Sequence, residues 1–217
     1  MDNPRTAERE EMVRRQIEAR GVKSPQVLQA MRSVPRHLFV PEPFAREAYQ
    51  DYPLPIGHDQ TISQPYIVAV MTELLSPEKG DSILEIGTGS GYQAAILVAC
   101  GATVISIERI SKVADLAEEN LARAGIRDVL VLCQDGTKGY PDRAPYNGIL
   151  ITAGTPRIPE PLLEELADGG RLVAPVGDRD IQELVRVTRN KDEYQTERFG
   201  AVRFVPLIGM YGWKKEW

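Results

Sequence analysis

The stretch Ile83-Leu84-Glu85-Ile86-Gly87-Thr88-Gly89-Ser90-Gly91 constrains this chain more than any other. Three apolar β-formers interrupted by one acid run into alternating glycines. Tyr92 to Leu97 then has helical composition, so the stretch predicts strand, tight turn and helix. A turn of this kind exposes backbone N–H groups and lets main chain approach a ligand closely. The glycines are spaced G-x-G-x-G. The dinucleotide fingerprint has its third glycine one position later, where Tyr92 stands.

Around this nonet the chain divides in the βα manner. Glu8 to Arg20 reads as a helix stopped by Gly21, and Ser24-Pro25 restarts one with serine as N-cap and proline in the first turn. Prolines at 35, 41, 43, 53 and 55 make Pro35 to Gly57 an ordered wrap, and Pro65 opens another helix. Thr103 to Ile107 is a strand ended by Glu108, and Ser111 is expected to cap a helix closed by Gly125. Strands follow at Val129 to Cys133 and Asn147 to Thr152, then a short helix at Pro159 to Leu166. Asp168-Gly169-Gly170 reads as a turn into the strand Arg171 to Val176. Ile181 to Arg189 and Arg198 to Leu207 have no helix between them, which predicts an antiparallel edge. The expected fold is α/β, a doubly wound and mostly parallel sheet with an N-terminal helical and proline-rich cap. It forms one domain over 1–217: cap and substrate-side wrap 1–79, cofactor-binding core 80–180, antiparallel strands and tail 181–217.

Composition bounds the function. A net charge of −5 argues against holding nucleic acid by its phosphates. No apolar run approaches the ~20 residues of a membrane span, and no secretory leader pattern opens the chain. Cys100 and Cys133 both sit in apolar sequence, which reads as free thiols in a reducing cytoplasm. No metal-ligand spacing is present, and nothing demands more than a monomer.

In open α/β sheets, ligands bind beyond the carboxyl ends of the strands. Gly87, Thr88 and Gly89 would approach one end of a cofactor, with Glu85 inside the strand reaching the loop or a cationic group. Glu108 could accept both hydroxyls of a ribose, and Asp135-Gly136 could set an acidic acceptor against an adenine amino group. A lone acid at any one of these places is more often a solvated loop carboxylate. Placement at three successive strand ends is what favours a site.

With these residues in view, the glycine loop, Glu108 and Asp135-Gly136 resemble a class I S-adenosylmethionine-dependent methyltransferase. Four further stretches are more specific: Val34-Pro35-Arg36-His37-Leu38-Phe39-Val40-Pro41, Leu54 to Gly57 leading into Gln60-Thr61-Ile62-Ser63-Gln64-Pro65, Glu164 to Pro175, and Val202-Arg203-Phe204-Val205-Pro206-Leu207. Together they resemble the protein-L-isoaspartate O-methyltransferase family over nearly the whole chain. The resemblance implies S-adenosyl-L-methionine as cofactor and isoaspartyl-containing proteins and peptides as partners. It also implies methylation of the isoaspartyl α-carboxyl, after which the ester collapses to a succinimide that partly reopens to aspartate. It makes Ser63 the active-site residue, with Gln60, Thr61 and Ile62 lining the same loop. A carboxylate is already ionised at pH 7, so Ser63 would orient it by a hydrogen bond rather than act as a nucleophile. The two histidines, His37 and His58, carry no recognisable motif.

Other readings stand beside this one. Ser63 or Gln64 is also where a cap for the helix at Pro65 belongs, and the Phe204 to Leu207 strand is first of all core, with an edge open to β-augmentation. Asp59 stands where the family commonly has glycine, which puts a carboxylate beside a site for an anion and bears on substrate affinity. Asn147 stands for a frequent aspartate, a structural matter. The competing functions are a class I methyltransferase for another carboxylate, small molecule or base, a nicotinamide oxidoreductase, and a binding module that has lost activity.

Overall fold

In the computed structural model, residues 5–214 are described; 1–4 and 215–217, the ends of the expected domain, lie outside them. The chain opens with α1 (Thr6–Met12), which widens into a π-helical turn at Val13–Ile17 and tightens at Glu18–Arg20 before Gly21, at φ 100°, ends it. Helix α2 (Pro25–Ser33) starts as expected, with Ser24 Oγ accepting the Val27 N–H at 3.4 Å. The proline-rich wrap consists of 3₁₀ turns at Arg36–Phe39 and Glu42–Glu47, then a small hairpin of β1 (Leu54–Gly57) and β2 (Gln60–Ile62). Helix α3 (Pro65–Leu75) follows.

The core elements are β3 (Ser82–Ile86), α4 (Tyr92–Ala99), β4 (Thr103–Glu108), α5 (Ser111–Arg123), β5 (Val129–Cys133), β6 (Tyr146–Ile151), α6 (Glu160–Glu164) and β7 (Leu166–Gly177). The hairpin strands β8 (Gln182–Asn190) and β9 (Glu193–Val202) complete them. The seven-stranded sheet runs β5-β4-β3-β6-β7-β8-β9, parallel through β7 and antiparallel beyond it. The order reverses between β3 and β6, which is where such a sheet opens a crevice.

The two faces are covered unequally. Ile83, Val104, Leu150 and Val173 pack under Met71 and Leu75 of α3 and Ala94 and Leu97 of α4. Outside these lies a second layer, in which Met12, Ile17, Val27 and Met31 share a core with Tyr92, Ile96 and Leu121. The opposite face, with Leu84, Ile86, Ile149 and Ile151, is closed by Leu162, Leu166 and Leu207. Asn147 Oδ1 accepts the Ser82 N–H at 2.9 Å and ties the starts of β6 and β3, the structural role expected for it.

Four expectations are corrected. Ser111 does not cap α5: it is the first helical residue after Ile110, and the adjacent amides of Arg109 and Ile110 are taken by the Glu108 carboxylate instead. Asp168-Gly169-Gly170 lies within β7, where an irregular register with β6 absorbs Gly169 at φ 76°. The last strand starts five residues before Arg198, and Phe204 to Leu207 leaves the sheet edge to pair with the loop after β6. There Gly154 N donates to Val205 O and Leu207 N to Gly154 O, each at 2.8 Å. Both cysteines are free, but Cys133 is exposed rather than apolar-buried.

Candidate active site

At the switch point, Gly87 N–H donates to Ile107 O at 2.8 Å and Thr152 N–H to Ile86 O at 2.9 Å. Beyond these bonds β3, β4 and β6 diverge. Three adjoining cavities occupy the opening. The innermost lies against Gly87 to Ser90, Glu108 and Gln60 to Ser63. One neighbour, about 190 Å³, is walled by Gln60, Gly87, Glu108, Arg109, Ile110 and Gly136. The other is an open groove of about 720 Å³, bordered by Thr61, Ser63, Tyr66, Arg203 and Phe204.

The glycine loop is shaped by close approach and by backbone sign. Gly87, Gly89 and Gly91 all have positive φ, and a Cβ on Gly87 would lie 2.5 Å from Thr152 Oγ1. Asn120 of α5 reaches across to donate to Ser90 O at 2.9 Å, fixing the far end of the loop. Glu108, 7% exposed, faces two of the cavities. Its Oε2 accepts the Gly89 N–H at 3.1 Å, and its Oε1 accepts those of Arg109 and Ile110 at 2.9 and 3.0 Å. Backbone amides thus aim this carboxylate and leave lone pairs for a diol. A cradle that side chains cannot enter, beside a carboxylate held ready, fits the amino-acid and ribose parts of S-adenosylmethionine. Gly136 belongs to the same wall; a Cβ there would lie 2.7 Å from Ile86 Cγ2.

Two predicted site residues are placed differently. Glu85 does not line the cavities. It is fully buried on the helix-covered face, because strand alternation turns it to the side occupied by Ser106, its partner in register on β4. Ser106 Oγ donates to Glu85 Oε2 and lies 2.7 Å from Thr88 Oγ1, so Glu85 reaches the loop only through that chain of hydroxyls. Burial pushes its carboxyl up to about 8, with the Ser106 hydrogen bond acting against the rise and the nearby Glu108 charge adding to it. Its Oε1 is without a partner among the described residues. Asp135 likewise turns away from the cavity walls. Its Oδ1 accepts from Thr137 N at 3.0 Å and Thr137 Oγ1 at 2.7 Å, and its Oδ2 accepts the Met210 N–H at 2.8 Å. It caps the 3₁₀ turn Gly136–Lys138 and fastens the C-terminal segment to it.

Gln60, Thr61, Ile62 and Ser63 arrive from the other side of the crevice on β2 and its exit. Ser63 is not a cap: the residue before α3 is Gln64, and neither side chain makes a capping bond. Its hydroxyl has no protein partner among the described residues, and the residue borders both the inner cavity and the groove. Asp59 is exposed at the hairpin tip, on the Glu108 and Gly136 side, and does not border the groove that contains Ser63. His37 sits in the wrap against Tyr49, Nδ1 to Oη 2.7 Å, with burial and the charges of Arg5 and Arg9 lowering its pKa.

Sequence reasoning missed a strand-end pair and one buried arginine. Thr152 and the Ala153 after it border the inner cavity, and the strand-end rule that found Glu108 applies to them equally. Arg36 is the other: wholly buried, it donates from Nη2 to Ser63 O at 2.8 Å and from Nε to Ala48 O at 2.7 Å. Its neighbourhood in the chain gives no hint of this, because the partners lie 12 and 27 residues away.

Among the described residues there is no group of His, Cys, Asp and Glu that could hold a metal ion, and no helix long and apolar enough to cross a membrane. The family described as Protein-L-isoaspartate(D-aspartate) O-methyltransferase (PCMT) matches residues 7–212. A protein-L-isoaspartate O-methyltransferase of Methanospirillum hungatei is 89% identical over 213 residues, covering 98% of this chain and 99% of that protein. One of Methanoregula boonei is 59% identical, covering 97% of each. A solved protein-L-isoaspartate O-methyltransferase superposes with a TM-score of 0.85 at 28% identity, over 94% of this chain and 67% of that one. A Plasmodium falciparum structure described as a putative member, in complex with S-adenosyl-L-homocysteine, shares the fold with a TM-score of 0.80 at 23% identity, over 92% of this chain and 98% of that one. Sheet order, glycine cradle and the Gln60 to Ser63 arm thus occur in a chain matched along nearly its whole length, which belongs to the protein-L-isoaspartate (D-aspartate) O-methyltransferase family.

Proposed function

We propose that the chain transfers a methyl group from S-adenosylmethionine to the α-carboxylate of isoaspartyl residues in proteins and peptides, with Ser63 orienting that carboxylate. The observation that carries this reading is a shared wall. Thr61, Ser63, Thr152, Phe204 and Val205 border both the inner cavity beside the glycine loop and the open groove. A carboxyl group presented from the groove would meet the loop side of the crevice at these residues.

The bound cofactor supplies a methyl group on a positively charged sulfur. The acceptor carboxylate is already ionised at neutral pH, so no residue of this chain would have to take up a proton. The chain's task is alignment, which can contribute on the order of 7–11 kcal/mol. Gly87, Thr88, Gly89, Gly136 and Glu108 would hold the cofactor, and Gln60, Thr61 and Ile62 would close over it. Ser63 Oγ would donate to the carboxylate oxygen that does not react. In this reading Glu85 and Asp135 shape the loops rather than touch the ligand. We further propose a cytoplasmic monomer that does not bind nucleic acid, a reading supported by the free thiols and the net charge of −5.

The test is labelled methyl transfer to two peptides differing only in aspartyl or isoaspartyl linkage. Label is expected in the isoaspartyl peptide alone; equal labelling, or none, overturns the substrate assignment. Ser63→Ala is expected to lower kcat roughly 10–100-fold, the worth of one hydrogen bond to a charged group, with S-adenosylhomocysteine affinity little changed by calorimetry. Glu108→Ala should do the reverse, weakening that affinity by roughly tenfold or more. Unchanged affinity would remove Glu108 from the ribose role.

A further inference from the structure

Arg36 is a buried cation for which the fold provides no dedicated counter-charge. It is 0% exposed, and its two hydrogen-bonded nitrogens serve neutral carbonyls, those of Ala48 in the wrap and Ser63 at the crevice. Its guanidinium carbon lies 4.8 Å from the centre of the Tyr92 ring, and Tyr92 borders the inner cavity. Nη1 is buried without a hydrogen-bond partner among the described residues. Asp51 acts on it electrostatically, but that carboxylate is engaged by Arg20 Nη1 at 2.5 Å and by the Tyr66 N–H at 3.4 Å. Burial pushes Arg36 down to about 10, which leaves it charged at neutral pH.

Taking a guanidinium out of water without pairing it is strongly unfavourable. Carbonyls and an aromatic face offset part of that penalty, and an anion arriving at the neighbouring residue would offset more. We propose that Arg36 is a positioning residue for methyl transfer, which fixes the Ser63 backbone and supplies the buried positive charge against which the substrate carboxylate settles. The inference rests on the reading of Ser63 given above. It adds a specificity: the site favours an anionic carboxylate over its neutral isostere through Arg36 as well as through the Ser63 hydroxyl.

The experiment measures binding of an isoaspartyl peptide and of the same peptide with that α-carboxylate replaced by a primary carboxamide, both with S-adenosylhomocysteine present. The unsubstituted enzyme is expected to prefer the carboxylate by about tenfold or more. Arg36→Gln is expected to cut that ratio by about tenfold while binding the carboxamide peptide within about twofold of normal. Equal weakening of both peptides would make Arg36 a packing residue and overturn the proposal. If Arg36→Gln does not fold, Arg36→Lys decides. Keeping the charge but not the two-carbonyl bridge, it should retain the carboxylate preference and lose about tenfold in kcat; loss of the preference would overturn the proposal. Methylation of the isoaspartyl peptide by the unsubstituted enzyme is scored in parallel, and its absence would instead strike the parent reading.

Discussion

Glu85 shows how much the environment of one residue decides. Its carboxyl, at about 8 when folded and near ~4.3 when unfolded, keeps its proton in the folded chain between those values. Folding therefore takes up a proton in that window. The stability that Glu85 contributes is fully present below about 4.3, is lost as pH rises and levels off above about 8. Glu85→Gln keeps the acceptor for Ser106 without the charge, so its melting temperature should fall less than the wild type's between pH 6 and 8. The difference is at most about 3–5 °C per pH unit, from 1.36 kcal/mol per unit and ~2–4 °C per kcal/mol in a domain of this size. Parallel melting curves would exclude a buried, protonated Glu85. Glu108, one strand over, sits among backbone N–H donors, which is why similar acids at successive strands do different work.

At the scale of elements, the β1–β2 hairpin carries the Gln60 to Ser63 arm into the site. Gly57 pairs with Gln60, so His58 and Asp59 form a two-residue loop, and both have positive φ, 53° and 58°. This is the backbone that type I′ turns require, and glycine suits its second position better than aspartate. Asp59→Gly is expected to stabilise the protein by about 0.5–1 kcal/mol, read by chemical denaturation, and to leave KM for an isoaspartyl peptide unchanged because Asp59 does not border the groove. A drop in KM would return Asp59 to the substrate side. A second element-scale device is Gln182 at the start of β8. It receives the Phe204 N–H at 2.8 Å, donates to Asp178 O at 2.6 Å, and so sets the Phe204 segment against the crevice.

For the molecule as a whole, the N-terminal layer and the sheet are held by one continuous set of contacts. Glu73 Oε1 accepts the N–H groups of Lys23 and Ser24 at 2.6 Å, Arg123 donates to Leu38 O at 2.5 Å, and the N-terminal helices share their core with α4 and α5. A single cooperative unfolding transition is therefore expected in calorimetry. S-adenosylhomocysteine at a hundred times its Kd should raise the midpoint by roughly 5–10 °C, the equivalent of ~2.7 kcal/mol. Two separated transitions would show the cap to be an independent unit.

The sequence alone determined the alternation of strands and helices, the glycine turn, the antiparallel edge and the strand-end position of Glu108. All of these are local patterns of apolarity, turn chemistry and spacing. It also pointed to Ser63, but only by resemblance, since by itself a serine before Pro65 reads first as a cap. Tertiary structure decided the rest. Which face of β3 Glu85 takes depends on what covers that face, and where the Asp135 oxygens go depends on Met210, 75 residues on. Arg36 became visible only when the wrap brought Ala48 and Ser63 to its two sides. Burial and long-range partners set the work of a charged group, and neither is a property of its neighbours in the chain.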